Sequence, residues 1–522
     1  MVLLLSCAAL ALDVAVWFAR AAELQRTADA AALAGVVRMP DITNAEAIAI
    51  EIATKNKVLA GDVTVDTIPN SPRQLKVTVA DPNTRSFFGK LVNNGVSMER
   101  TSVAEYVPKV ELGSRLNAIG TGDLPGWDPA GGLQNFWLAI NGVCTAKEDG
   151  DRFASAFDGN RKVDGTIWCT DTGAIKNLEQ RSESVTATAN EPTYSYIVDV
   201  PCPTVGLDPC PVDVKIEAYN PFYDNSNDVG VIDTNVVDPL VNKPYFDAAS
   251  FVTLFRLRDI DGNTVAPYAQ PFGTCVKCQS WNDSWWPLFS VTQAGQYRVD
   301  VSTEDGPYAY GSNAFSLRAY HTMTGPTLCS TATCPSIAGQ TSMSIYADVS
   351  AGQADFYLAH LSPARYYRGK KVQVQLFDPG EGASAIELLA PTSSGYTPIS
   401  FRYRTWAPGL DGYPIDNGFA PTSTVTLNVD ALASTLSAGQ RAPWWTANPP
   451  ANDSVFNGRV VSIELQIPPG YGCQAGKIPC VEEALPDDGW WKIRYYTNTG
   501  VVSDRTTWSV RMFGDPVHLI PS

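Results

Sequence analysis

Histidine is scarce: only His321, His360 and His518 occur in 522 residues. A catalytic triad or a four-ligand zinc site built on imidazole therefore has few candidates. The Gly-x-Ser-x-Gly turn that exposes a nucleophilic serine is missing as well. Positive charge is also short, with 38 Lys and Arg against 54 Asp and Glu, a net charge of −16. Nucleic-acid binding needs a basic face that releases counterions from phosphates, and no recognition motif offsets the deficit, so nucleic acid is excluded as a partner. Nothing in the chain calls for a cofactor. Neighbouring acids such as Asp487 and Asp488 are residue types a glycosidase uses, but adjacency in sequence gives no separation across a cleft. The reading is a non-catalytic protein, with a secreted hydrolase as the least favoured alternative.

What is plentiful points to turns and strands. There are 40 Gly and 37 Pro to punctuate the chain, and 13 Trp, 21 Tyr and 19 Phe to fill pleated surfaces. A hydrophobic share of 44% with 18% charged residues fits an ordered globular protein. At this length one core is too few, and about three domains is the natural expectation.

Residues Met1 to Ala19 form an apolar run that, at ~1.5 Å per residue, spans about 28 Å, near the hydrocarbon thickness of a bilayer. Trp17 and Phe18 lie where an interfacial aromatic belt would, with Arg20 directly after. A cleaved signal peptide is the rival, since Ala19 and Ala21 flank a candidate cleavage site. No basic segment precedes the run and it is long for a signal, so a retained single-pass anchor is favoured. Arg20 and Arg26 on the body side would by themselves put the body inside the cell, but long domains translocate largely regardless of charge.

The cysteines argue for the outside. Apart from Cys7 they fall into local couples: Cys144 with Cys169, Cys202 with Cys210, Cys275 with Cys278, Cys329 with Cys334, and Cys473 with Cys480. Disulfides that staple loops are the simplest reading. Cys275 and Cys278 alone have a zinc-like or redox-like spacing, but no histidine is near them in sequence to complete a site. No metal site is expected. The oxygen-rich turns Asp224–Asp228 and Asp259–Asn263 copy part of a calcium loop without its closing glutamate, and read as hairpin turns.

Past the apolar run, Glu23–Val37 is rich in alanine, so the helix is expected to continue unbroken. Ala28, Ala31, Ala32 and Gly35 share one face and would let another backbone approach closely, while Gln25 and Asp29 form an i, i+4 pair elsewhere on the helix. An alanine-rich stalk is the plainer alternative. Asp13, an acid within the apolar run, is expected to snorkel or to face a partner. Thr43 and Glu46 make a capping box for a helix with Ala45, Ile48, Ala49, Ile52 and Ala53 on one face. Strands at Val63–Ile68 and Leu75–Ala80, a short helix around Arg85–Val92 and a strand from Val96 to Val107 follow.

Asp13, then Leu24 and Gln25, then the string from Ala28 and Asp29 through Ala32 to Gly35 closely resemble the N-terminus of TadE/TadG-like proteins. These are membrane-anchored components associated with Flp-type (tight adherence) pilus systems in bacteria. The resemblance covers about residues 1–108. It implies a small α+β module after the anchor, and envelope or pilus protein partners engaged through the N-terminal helix. A metal motif that many TadG-like proteins carry is missing, and so is a signature for processing into a polymerising pilin. Asp300–Glu304 and Asp348–Gly352 are the nearest strings to the Asp-x-Ser-x-Ser metal motif of a von Willebrand A domain, and both lack its last serine. No prepilin cleavage signature precedes the apolar run.

The remainder shows a loose internal repeat. Ser195–Val200 and Val212–Tyr219 lead into Asn220–Asp224, as Asp355–Leu361 and Lys371–Phe377 lead into Asp378–Gly382. Tyr297–Val301 and Asn313–Arg318 have counterparts in Trp491–Tyr495 and Thr507–Arg511. The expected architecture is multi-domain: a transmembrane helix (1–19), the α+β module (20–108), a linker (109–132), and two tandem all-β jelly-roll-like sandwiches at 133–324 and 342–522, joined by residues 325–341. Trp281, Trp285, Trp286, Trp444, Trp445, Trp490 and Trp491 cluster in or beside loops. Exposed, they would make an extracellular carbohydrate-binding adhesin with a glycan ligand; the favoured alternative is that they cap the sandwich cores.

Overall fold

A computed structural model describes residues 2–39, 42–68, 71–84, 96–106, 110–121, 136–141, 152, 194–203, 210–220, 253–259, 262–269, 284–303 and 312–329. It further describes 331, 333–349, 352–379, 383–408, 414–419, 423–429, 456, 459–497, 502–513 and 517–520. The expected helix at Arg85–Val92 lies outside these residues. The chain forms two compact units: Met1–Lys109 with Gly514–Ser522, and Val110–Phe513.

In the first unit, helix α1 runs unbroken from Val2 to Val36 and α2 from Ile42 to Lys55. Strands β1 (Val63–Ile68), β2 (Ser71–Thr84) and β3 (Val96–Tyr106) form an antiparallel sheet. Its fourth strand is the C-terminal segment Val517–Ile520, paired to β3. The core joins Leu24, Ala28, Ala31, Ala32 and Val36 of α1 to Ala45, Ala49 and Ala53 of α2 and to Leu75, Val77, Val79 and Ala104 of the sheet. The small-residue face is thus used inside the chain. A Cβ on Gly35 would stand 2.7 Å from Leu75 Cδ2 and 2.8 Å from the Ala45 carbonyl oxygen, closer than packed atoms allow. Only glycine lets the helices meet there.

Four expectations are corrected or narrowed in this unit. Of the two places expected for Asp13, snorkelling is ruled out, since the residue is 2% exposed. Helix α2 starts at Ile42, so Thr43 lies in its first turn and is not its N-cap. The last residues, assigned to the second sandwich, belong to this sheet. Finally, among the described residues no helix is long and apolar enough to cross a membrane, so the span expected at 1–19 is not found there.

The larger unit is two long antiparallel sheets. The first runs, edge to edge, through Thr264–Ala269, Thr253–Asp259, Gly295–Thr303, Tyr194–Val200, Ser336–Gln340, Glu111–Leu112, Gln353–His360, Trp490–Tyr496, Ala385–Thr392 and Gly395–Pro398. The second runs through Ser284–Gln293, Pro211–Asn220, Ser312–His321, Phe136–Asn141, Ser342–Val349, Val502–Met512, Lys371–Phe377, Val460–Gln466, Arg402–Pro408 and Pro414–Phe419. Thr426–Asn428 and Ala118–Ile119 add short side pairings.

Alternation of apolar and polar side chains gives each sheet one inward face. Phe315 meets Tyr196 at 6.0 Å and Phe255 at 5.6 Å between ring centres, and Phe356 meets Phe136 at 6.1 Å, Tyr495 at 5.7 Å and Trp508 at 5.9 Å. All of these but Phe356–Tyr495, whose strands are neighbours in the first sheet, cross from one sheet to the other, so the unit is a sandwich.

The division expected for it is corrected. Strands of residues 136–321 and of 342–512 share both sheets. Phe136–Asn141 pairs antiparallel with Ser342–Val349, Leu138 opposite Ile345. In the other sheet the segments expected as linkers fill the seam: Gly339 pairs with Leu112, and Glu111 with His360. The two halves satisfy each other's open edges. Counted outward from the seam, each half places its second, seventh, fourth and fifth main strands in one sheet, and its first, eighth, third and sixth in the other. The second half adds Arg402–Pro408 and Pro414–Phe419 beyond that pattern.

Candidate functional site

Among the described residues of the larger unit, a dense cluster of interacting titratable side chains lies on the outer face of the first sheet, beside the seam. His360 ends the strand Gln353–His360, where it is registered against Glu111. Its Nδ1 lies 2.9 Å from Glu111 Oε2 and its Nε2 lies 3.0 Å from the Asp488 carbonyl oxygen. Both neighbours accept hydrogen bonds, so both ring nitrogens donate and the imidazole is cationic. Burial alone would lower its pKa, but hydrogen bonds to Asp488 and Glu111 outweigh that and raise it to about 9. The ring stacks on Trp490 at 5.0 Å.

Asp487 sits next to this pair. Its Oδ2 accepts from the Tyr396 hydroxyl at 2.8 Å and lies 3.1 Å from Lys492 Nζ, while Arg115 Nε is 3.5 Å from Oδ1. Arg115 Nε also donates to the Tyr357 hydroxyl at 3.1 Å. Burial would raise the pKa of Asp487, but hydrogen bonds from Tyr396, Tyr357 and Lys492 hold it below the usual carboxylate range. Burial and the Asp487 carboxylate push Tyr357 up to about 12 and raise Tyr396 as well. Asp487 and Asp488 both adopt left-handed backbone, φ 48° and 53°, a strain of about 1–3 kcal/mol each for a residue with a Cβ. The hydrogen bonds around Asp487 hold that turn in place.

Chemically, this arrangement is a clasp. The carboxylate of Asp487 is committed to three donors and stays ionised; the imidazole is protonated at neutral pH and is no base. Asp488, its partner in the glycosidase comparison, is 86% exposed, with Oδ2 3.8 Å from His360 Nε2. The clasp has a testable pH signature. A pKa raised on folding adds stability that is complete below the unfolded value near 6.5 and is lost as pH rises through about 9. Between pH 6 and pH 10 the larger unit should lose about 1–2 kcal/mol from this residue. In urea titrations His360→Gln should flatten that slope; an unchanged slope would refute the assignment.

The other sequence-predicted residues fall as follows. In α1, Gln25 Nε2 donates to Asp29 Oδ1 at 2.9 Å and reaches the Thr101 carbonyl at 3.3 Å, while Leu24, Ala28 and Ala32 are buried. Disulfides join Cys202 to Cys210, Cys329 to Cys334 and Cys473 to Cys480. Cys144, Cys169, Cys275 and Cys278, the side chain of Cys7, the turn Asp224–Asp228, and Trp281, Trp444 and Trp445 lie outside the described residues. Among the described residues no group of His, Cys, Asp or Glu is arranged to hold a metal. Asp259 is a hairpin residue: its carboxylate accepts from the Asn263 amide at 2.8 Å and from Asn263 Nδ2 at 2.9 Å.

Among the described residues, Trp285, Trp490 and Trp491 offer little face for a sugar. Trp490 and Trp491 are 3% exposed. One face of Trp285 carries the Arg318 guanidinium at 3.9 Å. Glu111, Arg115, Tyr357, Tyr396 and Lys492 escaped sequence reasoning, because Glu111 and His360 lie 249 positions apart and meet only through strand pairing. Comparison with protein-family models, with curated proteins and with solved structures finds no match.

Proposed function

We propose that this is a non-catalytic structural protein of the bacterial cell surface, associated with Flp-type pilus assembly or adhesion. Its body is two jelly rolls fused edge to edge, standing outside the cytoplasm. The observation that carries the reading is the helix string Leu24-Gln25 to Gly35. It resembles the TadE/TadG-like N-terminus, and it packs against α2 and the sheet of a small α+β unit of the kind that resemblance implies. Three disulfides favour an oxidising compartment. The repeated strand order, two Greek keys per half, supports the jelly-roll description.

Attachment to the envelope falls to the N-terminal part of α1, where Leu12 is 53% and Phe18 74% exposed. Because the small-residue face is consumed within the unit, any envelope partner meets α1 on another face, such as that of Leu12 and Phe18. The clasp at His360 and Asp487 fits a load-bearing role, since its charges are committed to neighbours. The deciding experiment is an in-frame deletion of the gene in its piliated host. Surface filaments or adherence should be lost and return on complementation; unchanged filaments and adherence would sink the proposal.

A further inference from the structure

A sheet edge carries unpaired N–H and C=O groups that template another strand, and folds blunt the edges that must stay single. The two sheets of the larger unit end on Thr264–Ala269, Gly395–Pro398, Ser284–Gln293 and Pro414–Phe419. Each of these strands contains a proline (Pro267, Pro398, Pro287 and Pro414), which has no N–H to offer a neighbour. Thr426–Asn428, beside Gly395–Pro398 on the strand Ala385–Thr392, is three residues long. In the small unit, the edge strand Val517–Ile520 is four residues long and is bracketed by Pro516 and Pro521.

The other edge of the small sheet, β1, has no such device. Its six residues, Val63-Thr-Val-Asp-Thr-Ile68, are β-branched apart from Asp66 and include no proline or lysine. Among the described residues no strand pairs with its outer side. Alternation turns Val63 and Val65 onto the helix-packed core and leaves Thr64 and Asp66 exposed on the opposite face. Leu59, just before the strand, is 74% exposed. Such an edge is a template for strand addition.

We infer that β1 pairs antiparallel with β1 of a second copy of this chain, across a twofold axis normal to the sheet. The strand's own sequence selects that occupant. With Val65 opposite Val65 of the second copy, Val63 meets Thr67, and Thr64 meets Asp66 on the other face. The helices then stay on one side of the joined sheet, and each carboxylate gains a hydroxyl donor. A slip of one residue would set a valine against Asp66; a slip of two would set Asp66 against Asp66 or Asp62. Within its own sheet Asp66 is registered with Lys76, so a carboxylate already has a cation on one side and rejects a second acid on the other. A single strand pair is below the ~1,000 Å² of a stable interface, so the dimer is weak. The inference concerns contacts between copies and stands whether or not the pilus reading does.

Sedimentation equilibrium of the full chain in mild detergent tests it, on wild type, Thr64→Lys and Thr64→Asp. Thr64 is exposed, so both variants should keep the wild-type circular dichroism spectrum. Wild type should show a monomer–dimer equilibrium. The lysine faces Asp66 of the second copy at two symmetry-related places and should tighten the dimer about 2- to 30-fold; the aspartate sets like charges there and should weaken it by a similar factor. A wild type still monomeric at about 100 µM would overturn the inference. So would equal dissociation constants in all three proteins, which place the association elsewhere, as at the apolar start of α1. A dimer weakened by both charges would rule out this register.

Discussion

Asp300→Ala should destabilise the larger unit by about 3–5 kcal/mol, among the largest losses any single side chain there can cause. Asp300 lies on the strand Gly295–Thr303, opposite Ser195 on one side and Arg256 on the other. Its carboxylate takes Arg258 Nε at 2.8 Å, Arg298 Nη2 at 3.0 Å and the Ser195 hydroxyl at 2.7 Å, and its side chain is only 4% exposed. Removing it leaves two guanidinium groups, each 8% exposed, facing each other without a counter-ion. The penalty is mostly that of stranding buried charge and is not the net worth of the pair. Asp300→Asn keeps the shape and one acceptor and should cost less.

The second half supplies a control in the same assay. Asp355 and Arg494 form a two-pronged pair at 2.6 and 2.8 Å, but their side chains are 29% and 23% exposed. Water stabilises whichever partner remains, so Asp355→Ala should cost at most about 1 kcal/mol. Urea unfolding of the two variants side by side is the measurement. Equal losses would show that burial is not what separates them.

How much of this could be read from residue order depends on the range over which the signal acts. Local patterns carried well. Alternating apolar residues marked Lys371–Phe377 and Val63–Ile68 within a residue of where they form, and five alanines and isoleucines marked the buried face of α2. Short-range cysteine couples likewise became disulfides wherever both partners are described. What failed was pairing between distant segments. Glu111 and Leu112 look like linker because two residues have no periodicity, yet they complete a sheet once Gly339 and His360 flank them. Val517–Ile520 reads as the end of a sandwich, although its hydrogen bonds lie with Val103–Tyr106.

The small-residue face illustrates a different limit. Ala28, Ala32 and Gly35 signal close approach to some backbone, and nothing in their spacing distinguishes another chain from α2 of this one. Apolar context limits the reading of Asp13 in the same way. A run rated as membrane-spanning left snorkelling or a partner as its choices, and the folded unit, which buries the side chain, rules out the first. The clasp at Asp487 was half visible: the acids stood out, but the tyrosines and the lysine that tie them down are indistinguishable from ordinary strand residues until the sheet forms.

Trp508→Ala should cost about 3–5 kcal/mol, and how that loss is distributed decides whether the two halves of the sandwich are one cooperative body. Trp508 is fully buried, donates from its indole nitrogen to the Tyr495 hydroxyl at 3.2 Å, and packs at a tilt against Phe356. All three belong to the second half. Its other ring neighbour, Phe136 at 5.8 Å, starts the first half. The strand bearing Trp508 pairs with Ser342–Val349, which in turn pairs with Phe136–Asn141. Truncating the indole therefore opens a cavity lined from both halves and loosens the strand next to the seam. In a fused body the weakening spreads: calorimetry should show one shifted transition for the unit. Amide hydrogen exchange should accelerate in Tyr194–Val200 and Thr253–Asp259 of the first half as well as in Lys371–Phe377 of the second. Two independent sandwiches would behave otherwise, with a second, unshifted transition and unchanged protection in Tyr194–Val200. That outcome would mean the continuous hydrogen-bond ladders across the seam add area without cooperativity, and the paired body could flex there under load.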